Sequence, residues 1–224
     1  MLFFALESGG LTIMLELYDV TYEKLTSAEM HDLFSLRCGV FKTRLNWNVS
    51  VRKSLESDEY DNRSASYIFG KIGNKLVCGV RFIDSKNKTM ISGVFQKNFK
   101  KLNLPEGDYL EASRLFVDKV TTQNLNIHNQ PVSTLLLLSM INYSKSNGYS
   151  SIYAVVSIEV FLIFKRTGWM IEVVSEGVSE QSEKILFIYM PVDDKNQSIV
   201  IEKIKSCSKY KFNNLDSWPI LWHV

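Results

Sequence analysis

The chain has 224 residues, 46% of them hydrophobic and 22% charged, with a formal net charge of +2. Those fractions sit near globular averages and argue against disorder, and the length suits one large domain or two very small ones. A near-neutral charge speaks against a dedicated nucleic-acid binder with a basic stripe, although a local basic patch stays possible.

The opening residues, MLFFALESGGLTIM, are apolar but have no basic leader, and Glu7 cuts the run short, so a signal peptide is not expected. The Gly9-Gly10 pair ahead of Met14 marks residues 1–13 as an N-terminal extension and 14–224 as the folded domain. LELYDV reads as a first strand. Thr26 followed three residues later by Glu29 is a helix-start signal. Leu33, Phe34 and Leu36 carry that helix to about Phe41 at helical spacing. From Lys42 to Asn62 periodicity fails, with Trp47 alone among polar residues, which suggests a functional loop.

Ser66–Lys71 and Leu76–Phe82 alternate around Gly73-Asn74 as a hairpin. Leu110–Val117 is a third strand after the Pro105-Glu106-Gly107 turn. Ser133–Asn147 is a helix apolar nearly all round, hence buried, and Gly148 ends it. Its run Leu135–Ile141 is far short of the ~20 residues that span a bilayer. Ile152–Val156 is an apolar strand and Ile158–Thr167 a helix closed by Gly168. Met170–Val174 and Ile185–Met190 are closing strands, and Asp193–Cys207 is a final amphipathic helix. The order implies an α/β (α+β) single domain: a mixed central sheet with helices on both faces, a three-layer sandwich.

Cys38, Cys78 and Cys207 form no C-x-x-C pair, and an odd count is a poor disulfide framework, so they fit buried residues in a reducing cytoplasm. His31, His128 and His223 are equally scattered and suggest no metal site.

Four constellations carry the chemistry. Arg37 and Phe41 share a helical face, with Trp47 beyond. They read either as a surface arginine over a core ring with Trp47 as a lid, or as an aromatic clamp for a cation. Asp58-x-x-Asp61 shares one face of a turn, where it is either solvated or binds an ammonium or a sugar hydroxyl. Arg81 ends the apolar strand CGVRFI. Glu111 and Arg114 open the next strand, pointing to opposite faces unless a bulge intervenes. Charges inside apolar strands need partners, so an ion-pair network of Arg81, Glu111 and the aspartates is an equally good structural reading.

In this order and with these gaps, Arg37, Phe41, Trp47, Asp58, Asp61, Arg81, Glu111 and Arg114 resemble the LuxI-type acyl-homoserine lactone synthases, whose Arg-x3-Phe-x5-Trp, Asp-x2-Asp, strand Arg and Glu-x2-Arg elements they match. The likeness runs from Met14 onward, and FKTRLNW, GVRFI, LEASRLFVDK and FKRTGW are similar to members that make short-chain signals. The resemblance implies a fold similar to the GCN5-related N-acetyltransferases, with central strands splayed between Leu110–Val117 and Ile152–Val156. It implies an acyltransferase of the cytoplasm, acting in quorum sensing, that joins S-adenosylmethionine to an acyl group from acyl carrier protein and releases methylthioadenosine. It implies neither a resident cofactor nor a metal, and neither a nucleic-acid nor a membrane partner.

By that resemblance, Arg37, Phe41, Trp47, Asp58 and Asp61 bind S-adenosylmethionine, with Arg81, Glu111 and Arg114 as catalytic residues and Glu111 as the candidate base. The acyl pocket would involve Leu115, Met140, Val156, Ser157 and Phe161, with the Leu115 and Phe116 N–H groups as oxyanion donors. Ser157 would favour a 3-oxo chain, and a six- to eight-carbon product is expected. Lys97, Lys100 and Lys101, or Lys165 and Arg166, would dock the acidic carrier. The runner-up is another superfamily N-acyltransferase using coenzyme A, which a Gly-rich turn after the third strand would support; RLFVDKV stands there instead. A non-enzymatic binding module, with the charges as structural ion pairs, is the remaining alternative.

Overall fold

The computed structural model describes residues 14–45, 47–125, 131–207 and 214–223; the expected extension 1–13 and His128 lie outside them. The chain opens with β1 (Met14–Thr21) and then α1 (Ser27–Arg37). The α1 start is a full capping box: Glu29 N–H donates to Thr26 Oγ1 at 3.2 Å, and Thr26 N–H donates to the Glu29 carboxylate at 3.1 Å. Past Arg37 the helix continues as a π-helical turn over Cys38–Arg44, in which Leu45 N–H reaches the Val40 carbonyl. Such wide turns are uncommon and recur at functional sites.

The stretch read as a loop holds a two-residue hairpin, β2 (Val51–Arg52) and β3 (Leu55–Glu56), too short for any period to show in sequence. The long hairpin is β4 (Ala65–Ile72) and β5 (Lys75–Asp84), turning at Gly73 with φ of 56°. After a long connection come β6 (Leu110–Val117), α2 (Lys119–Asn124), α3 (Val132–Ser146) and β7 (Ser151–Ser157). Then follow α4 (Ile158–Lys165), β8 (Glu172–Val178), β9 (Lys184–Pro191), α5 (Asp194–Cys207) and β10 (Ile220–His223). Left-handed Gly148 and Gly168, at φ of 79° and 84°, follow α3 and α4 as expected. Sequence reading missed α2, which buries only Thr122, and β10, which finds its partner in β1 at the far end of the chain.

Eight of the described strands form one sheet in the order β10-β1-β4-β5-β6-β7-β9-β8, and β2 pairs with β3 apart from it. Every neighbouring pair is antiparallel except β6 and β7, which run parallel and pair only at Leu110↔Ile152 and Glu111↔Tyr153. Beyond Glu111 the two strands part, so the sheet splays where expected. One face buries α3 and α5 residues with Leu15, Leu17, Val80 and Ile188. The opposite face buries Leu33, Phe34, Val40 and Phe41 against Tyr67, Phe69 and Phe116. Leu135, Leu136, Leu137 and Leu138 are all buried because the sheet lies on one side of α3 and α5 on the other. Each contributes about 1.5–3 kcal/mol through burial.

Candidate active site

On the α1 face of the sheet, three arginines meet three carboxylates. Arg37, at the end of α1, points inward and is only 1% exposed, so the surface-arginine reading fails. Its Nε donates to Glu56 Oε2 at 2.5 Å, and its two terminal nitrogens donate to Asp61 at 2.7 and 2.9 Å. Arg81, fully buried on β5, donates to both oxygens of Asp58 at 2.6 and 3.2 Å and lies 2.9 Å from Asp61 Oδ1. Arg114 donates to Glu56 Oε1 at 3.0 Å and to Asp58 Oδ2 at 2.8 Å. Three cations and three anions balance within one site, and fork-shaped arginine pairing fixes their geometry.

A bulge aims Arg114. Between Gly79 and Arg81 the β5–β6 register shifts, and Arg114 sits at φ of 54°. The extra residue turns its side chain to the face that also carries Arg81 and Ser113, whose Oγ accepts from Arg81 Nε at 3.1 Å. A non-glycine residue held in the left-handed region is strained, and such strain gathers at functional sites.

The electrostatics follow from this packing. Burial alone would raise Asp61, but the Arg37 charge and hydrogen bonds, helped by Arg81, hold its carboxyl far below the usual range. Tyr67 donates its hydroxyl to the same aspartate at 2.9 Å. Burial works against the Arg37 and Arg81 charges as well, yet their carboxylate partners raise both. Arg114 differs: burial lowers it and Glu56 and Asp58 do not fully compensate. It stays a cation, but the one with most to gain from another anion.

Aromatic rings flank the cations. Phe41 and Trp47 stack with centroids 5.1 Å apart, and the Arg114 guanidinium lies 5.7 Å over the Phe41 ring. Trp47 N–H donates to the Phe41 carbonyl at 2.8 Å, so the π-helical turn sets the stack. Trp47 is a half-buried rim, not a lid sealed into the core.

Glu111 lies on the same sheet face and is 1% exposed, but it forms no ion pair with the arginines. Its two oxygens accept the Met90 and Ile91 N–H groups at 3.0 and 2.7 Å. Burial pushes its carboxyl up, against the lowering effect of those bonds. The expected network of Arg81, Glu111 and aspartates therefore needs one correction: Glu56 takes the place given to Glu111. Four acids crowd ESDEYD, and only the fold shows which turn inward; Glu59 stays outside with Lys88 at 3.1 Å. A further residue that sequence reading missed is Met90, which with Ile91 interrupts the polar stretch KTMISG and whose sulfur lies 3.0 Å from Arg81 Nη2.

The expected acyl-pocket residues divide. Met140 is fully buried on α3, and Leu115, Val156 and Phe161 line the edge of the same apolar cluster beside the splay. Phe116 was expected to contribute only its main-chain N–H, and its side chain lies outside that cluster. It packs on the opposite face with Phe41, because the bulge at Arg114 shifts the alternation of β6. Its backbone and that of Leu115 lie past the last β6–β7 pair. Ser157 is the N-cap of α4, accepting from Val160 N–H at 3.4 Å. A recess of about 490 Å³ lies elsewhere, lined by Glu59, Tyr60, Lys88, Gly93, Val94, Gln96 and Lys97. Of the docking candidates, Lys97 pairs with Glu180 at 2.7 Å, while Lys100, Lys101, Lys165 and Arg166 are exposed. Among the described residues no cluster of His, Cys, Asp and Glu could hold a metal ion, and no helix is long and apolar enough to cross a membrane.

Comparison with known proteins places this geometry. Residues 21–200 match the family model described as autoinducer synthase. The acyl-homoserine-lactone synthase of Pectobacterium carotovorum subsp. carotovorum is 44% identical over 207 residues, 92% of this chain and 96% of that protein. The synthase of Serratia liquefaciens is 48% identical over 192 residues, covering 85% and 96%. In fold, the chain is similar to the acyl-homoserine lactone synthase LasI, with a TM-score of 0.67 at 18% identity over 85% of this chain and 96% of that one. It is also similar to the coenzyme A-dependent synthase BjaI solved with S-adenosylmethionine and isopentyl-coenzyme A, with a TM-score of 0.73 at 15% identity, covering 85% and 90%. The chain therefore belongs to the autoinducer synthase family and is an acyltransferase, an acyl-homoserine-lactone synthase.

Proposed function

We propose that the arginine–carboxylate site grips S-adenosylmethionine and that the gap between β6 and β7 receives the acyl thioester. Once the ammonium has lost a proton to solvent, the amine nitrogen attacks the thioester carbon; the amide forms as the carbon–sulfur bond breaks, and the departing thiolate takes the second amine proton and leaves as the thiol. The carboxylate oxygen then attacks the γ-carbon, closing the lactone as the sulfonium sulfur takes the bonding pair and departs as methylthioadenosine. The observation that carries this reading is the convergence of Arg37, Arg81 and Arg114 on Glu56, Asp58 and Asp61 beside the Phe41–Trp47 stack.

Each half of the site suits one substrate. The rings offer π faces to a sulfonium, and the carboxylates Asp58 and Asp61 suit an ammonium. Arg114, the most accessible of the three cations at 11% exposure, suits the substrate carboxylate. Holding carboxylate and γ-carbon close supplies most of the second step, because a sulfonium is already a good leaving group. Main-chain N–H groups at Leu115 and Phe116, past the β6–β7 pairing, are the oxyanion donors of this reading. Leu115, Met140, Val156 and Phe161 supply apolar surface for a short chain.

For the donor we propose acyl carrier protein. A pyrophosphate would need free N–H groups at the helix start after β6. There the Asp118 carboxylate already accepts from Val120 and Thr121, at 3.0 and 3.3 Å. The second reading is a coenzyme A donor, favoured by the fold likeness to BjaI. Lys165 and Arg166, at the end of α4 beside exposed Leu162 and Ile163, would receive the acidic carrier, with Lys100 and Lys101 as the other candidates. Mass spectrometry of products from purified protein, S-adenosylmethionine and matched acyl-carrier or acyl-coenzyme A donors tests the reading. Acylated homoserine lactone with methylthioadenosine, formed faster from the carrier and more slowly at high salt, is the expected result. Equal or faster turnover of coenzyme A thioesters would overturn the donor, and no consumption of S-adenosylmethionine would overturn the whole reading.

A further inference from the structure

The mechanism above leaves unused the most buried acid on β6 and a lone thioether lying on the arginines. Glu111 accepts two consecutive main-chain N–H groups, those of Met90 and Ile91, in the long connection between β5 and β6. Two such bonds to one carboxylate fix the backbone of that loop point relative to the sheet. The same turn is closed by the residues on either side of that pair, Thr89 and Ser92, which bond each other and each other's main chain. Ile91 is buried beside Phe99, Ile185 and Phe187, so the loop is anchored on its far side as well.

This clamp has a target. With its backbone held, Met90 is 5% exposed and places its sulfur 3.0 Å from Arg81 Nη2 and 3.9 Å from Arg114 Nη1. Asp58 binds the same two guanidiniums, meeting Arg81 at Nη1 and at the Nη2 it shares with the thioether, and Arg114 at Nη2. Each arginine thus meets both a carboxylate and the thioether. A thioether is a weak acceptor, so it fixes where the nitrogens point without consuming their charge.

We infer that Glu111 and Met90 are positioning residues: the Glu111 clamp on the Met90–Ile91 main chain seats the Met90 thioether, which sets Arg81 and Arg114 for the substrate. The inference rests on the functional reading above and departs from the sequence expectation of Glu111 as the base. A base role requires only the carboxylate; the positioning role requires the whole path from Glu111 through Met90 to the arginines.

Two variants separate the roles. Met90→Leu keeps volume and burial but removes the acceptor. Glu111→Gln keeps one acceptor oxygen and sets an NH2 donor against the second main-chain N–H. Positioning predicts that both raise KM for S-adenosylmethionine by roughly tenfold or more. KM for the acyl donor should hold, and so should the acidic limb of the kcat–pH profile. The double variant should be no worse than Glu111→Gln alone, because both act along one path. Amide hydrogen exchange at Met90 and Ile91 should quicken in Glu111→Gln and stay slow in Met90→Leu.

If Met90→Leu leaves KM unchanged in an active enzyme, the inference is wrong, whether or not Glu111→Gln folds. Loss of the acidic limb in Glu111→Gln with KM intact would assign Glu111 as the base instead. A wild-type control that does not consume S-adenosylmethionine would remove the functional reading itself.

Discussion

The two sides of the splayed sheet solve different problems with different chemistry. Between α1 and strands β5 and β6, burial is polar: Arg37, Glu56, Arg81 and Glu111 are each at most 1% exposed, and hydrogen bonds and ion pairs account for each of them. Between α3 and the parting strands β6 and β7, burial is apolar, and Leu135 to Ile141 pack without a charge among them. The polar side has one permissible arrangement, because any missing partner leaves a buried charge alone. The apolar side tolerates changes of volume and shape at modest cost. On the function proposed here, recognition of S-adenosylmethionine falls to the first side and that of the acyl chain to the second.

Arg37→Ala tests that contrast most severely. It takes one of two arginine partners from Glu56 and from buried Asp61 and leaves the site one cation short, so we expect a stability loss of about 3–5 kcal/mol by denaturant unfolding and no detectable binding of S-adenosylmethionine. Met140→Ala, its counterpart on the apolar side, should lose about 2–5 kcal/mol by cavity formation while the folded fraction still binds S-adenosylmethionine. Equal loss of binding in both would dissolve the division. Arg114→Ala comes next. A side chain at the edge of the site, 11% exposed, should cost less stability than Arg37. It should lower kcat/KM by about a hundredfold or more. Normal turnover would remove Arg114 from the site's chemistry. Arg114→Gly, which suits a φ of 54°, should be at least as stable as the alanine variant.

The polar side should also report itself through pH. Asp61 is held below its unfolded value, so its ionised form stabilises the fold. That contribution is complete above the unfolded value of about 4 and is lost as pH falls through the lower folded value. The stability advantage of the wild type over Asp61→Asn should therefore stay level on acidification until about pH 4 and shrink only below it. An advantage already shrinking well above that point would mean the carboxyl titrates in the ordinary range. Glu111 has the opposite sign: its carboxyl is raised, so ionising it costs stability as pH climbs past the ordinary glutamate value.

The same contrast explains what could be read before any coordinates. Arg81, Glu111 and Arg114 drew notice because charges inside apolar strands demand partners, and that demand is local to the sequence. Strand β6 and the hairpin of β4 and β5 were legible from alternation and turn chemistry at Gly73. Which partner each charge takes was not legible. Glu56, Asp58, Glu59 and Asp61 look alike in ESDEYD, and a two-residue hairpin decides which turn inward. Met90 and the π-helical turn were hidden for a related reason, since a lone methionine and one extra residue per turn leave no period. Strand β10 was missed because its edge position depends on β1, some two hundred residues away. Which face the Phe116 side chain takes was not legible either, because the bulge at Arg114 leaves no trace in the alternation of β6.

Ser157 carries the smallest and most discriminating prediction, because two roles compete for one hydroxyl. As the N-cap of α4 it accepts from Val160 N–H, and a cap replaced by alanine costs about 0.5–2 kcal/mol. At 3.4 Å the bond is long, so the low end of that range is expected for Ser157→Ala. The hydroxyl also stands at the end of β7, next to half-buried Val156 and one turn from Phe161, where a 3-oxo group on the acyl chain could hydrogen-bond it. The Ser157 hydroxyl proton faces the Glu159 carboxylate, whose pKa it lowers, so a 3-oxo group would have to take that proton from Glu159 while the oxygen keeps its cap. Ser157→Ala should then lower Tm slightly and shift products away from 3-oxo chains when both donors compete, measured by mass spectrometry. A lower Tm with an unchanged product ratio would leave Ser157 a helix cap alone and return chain selection to the apolar wall of Leu115, Met140 and Phe161.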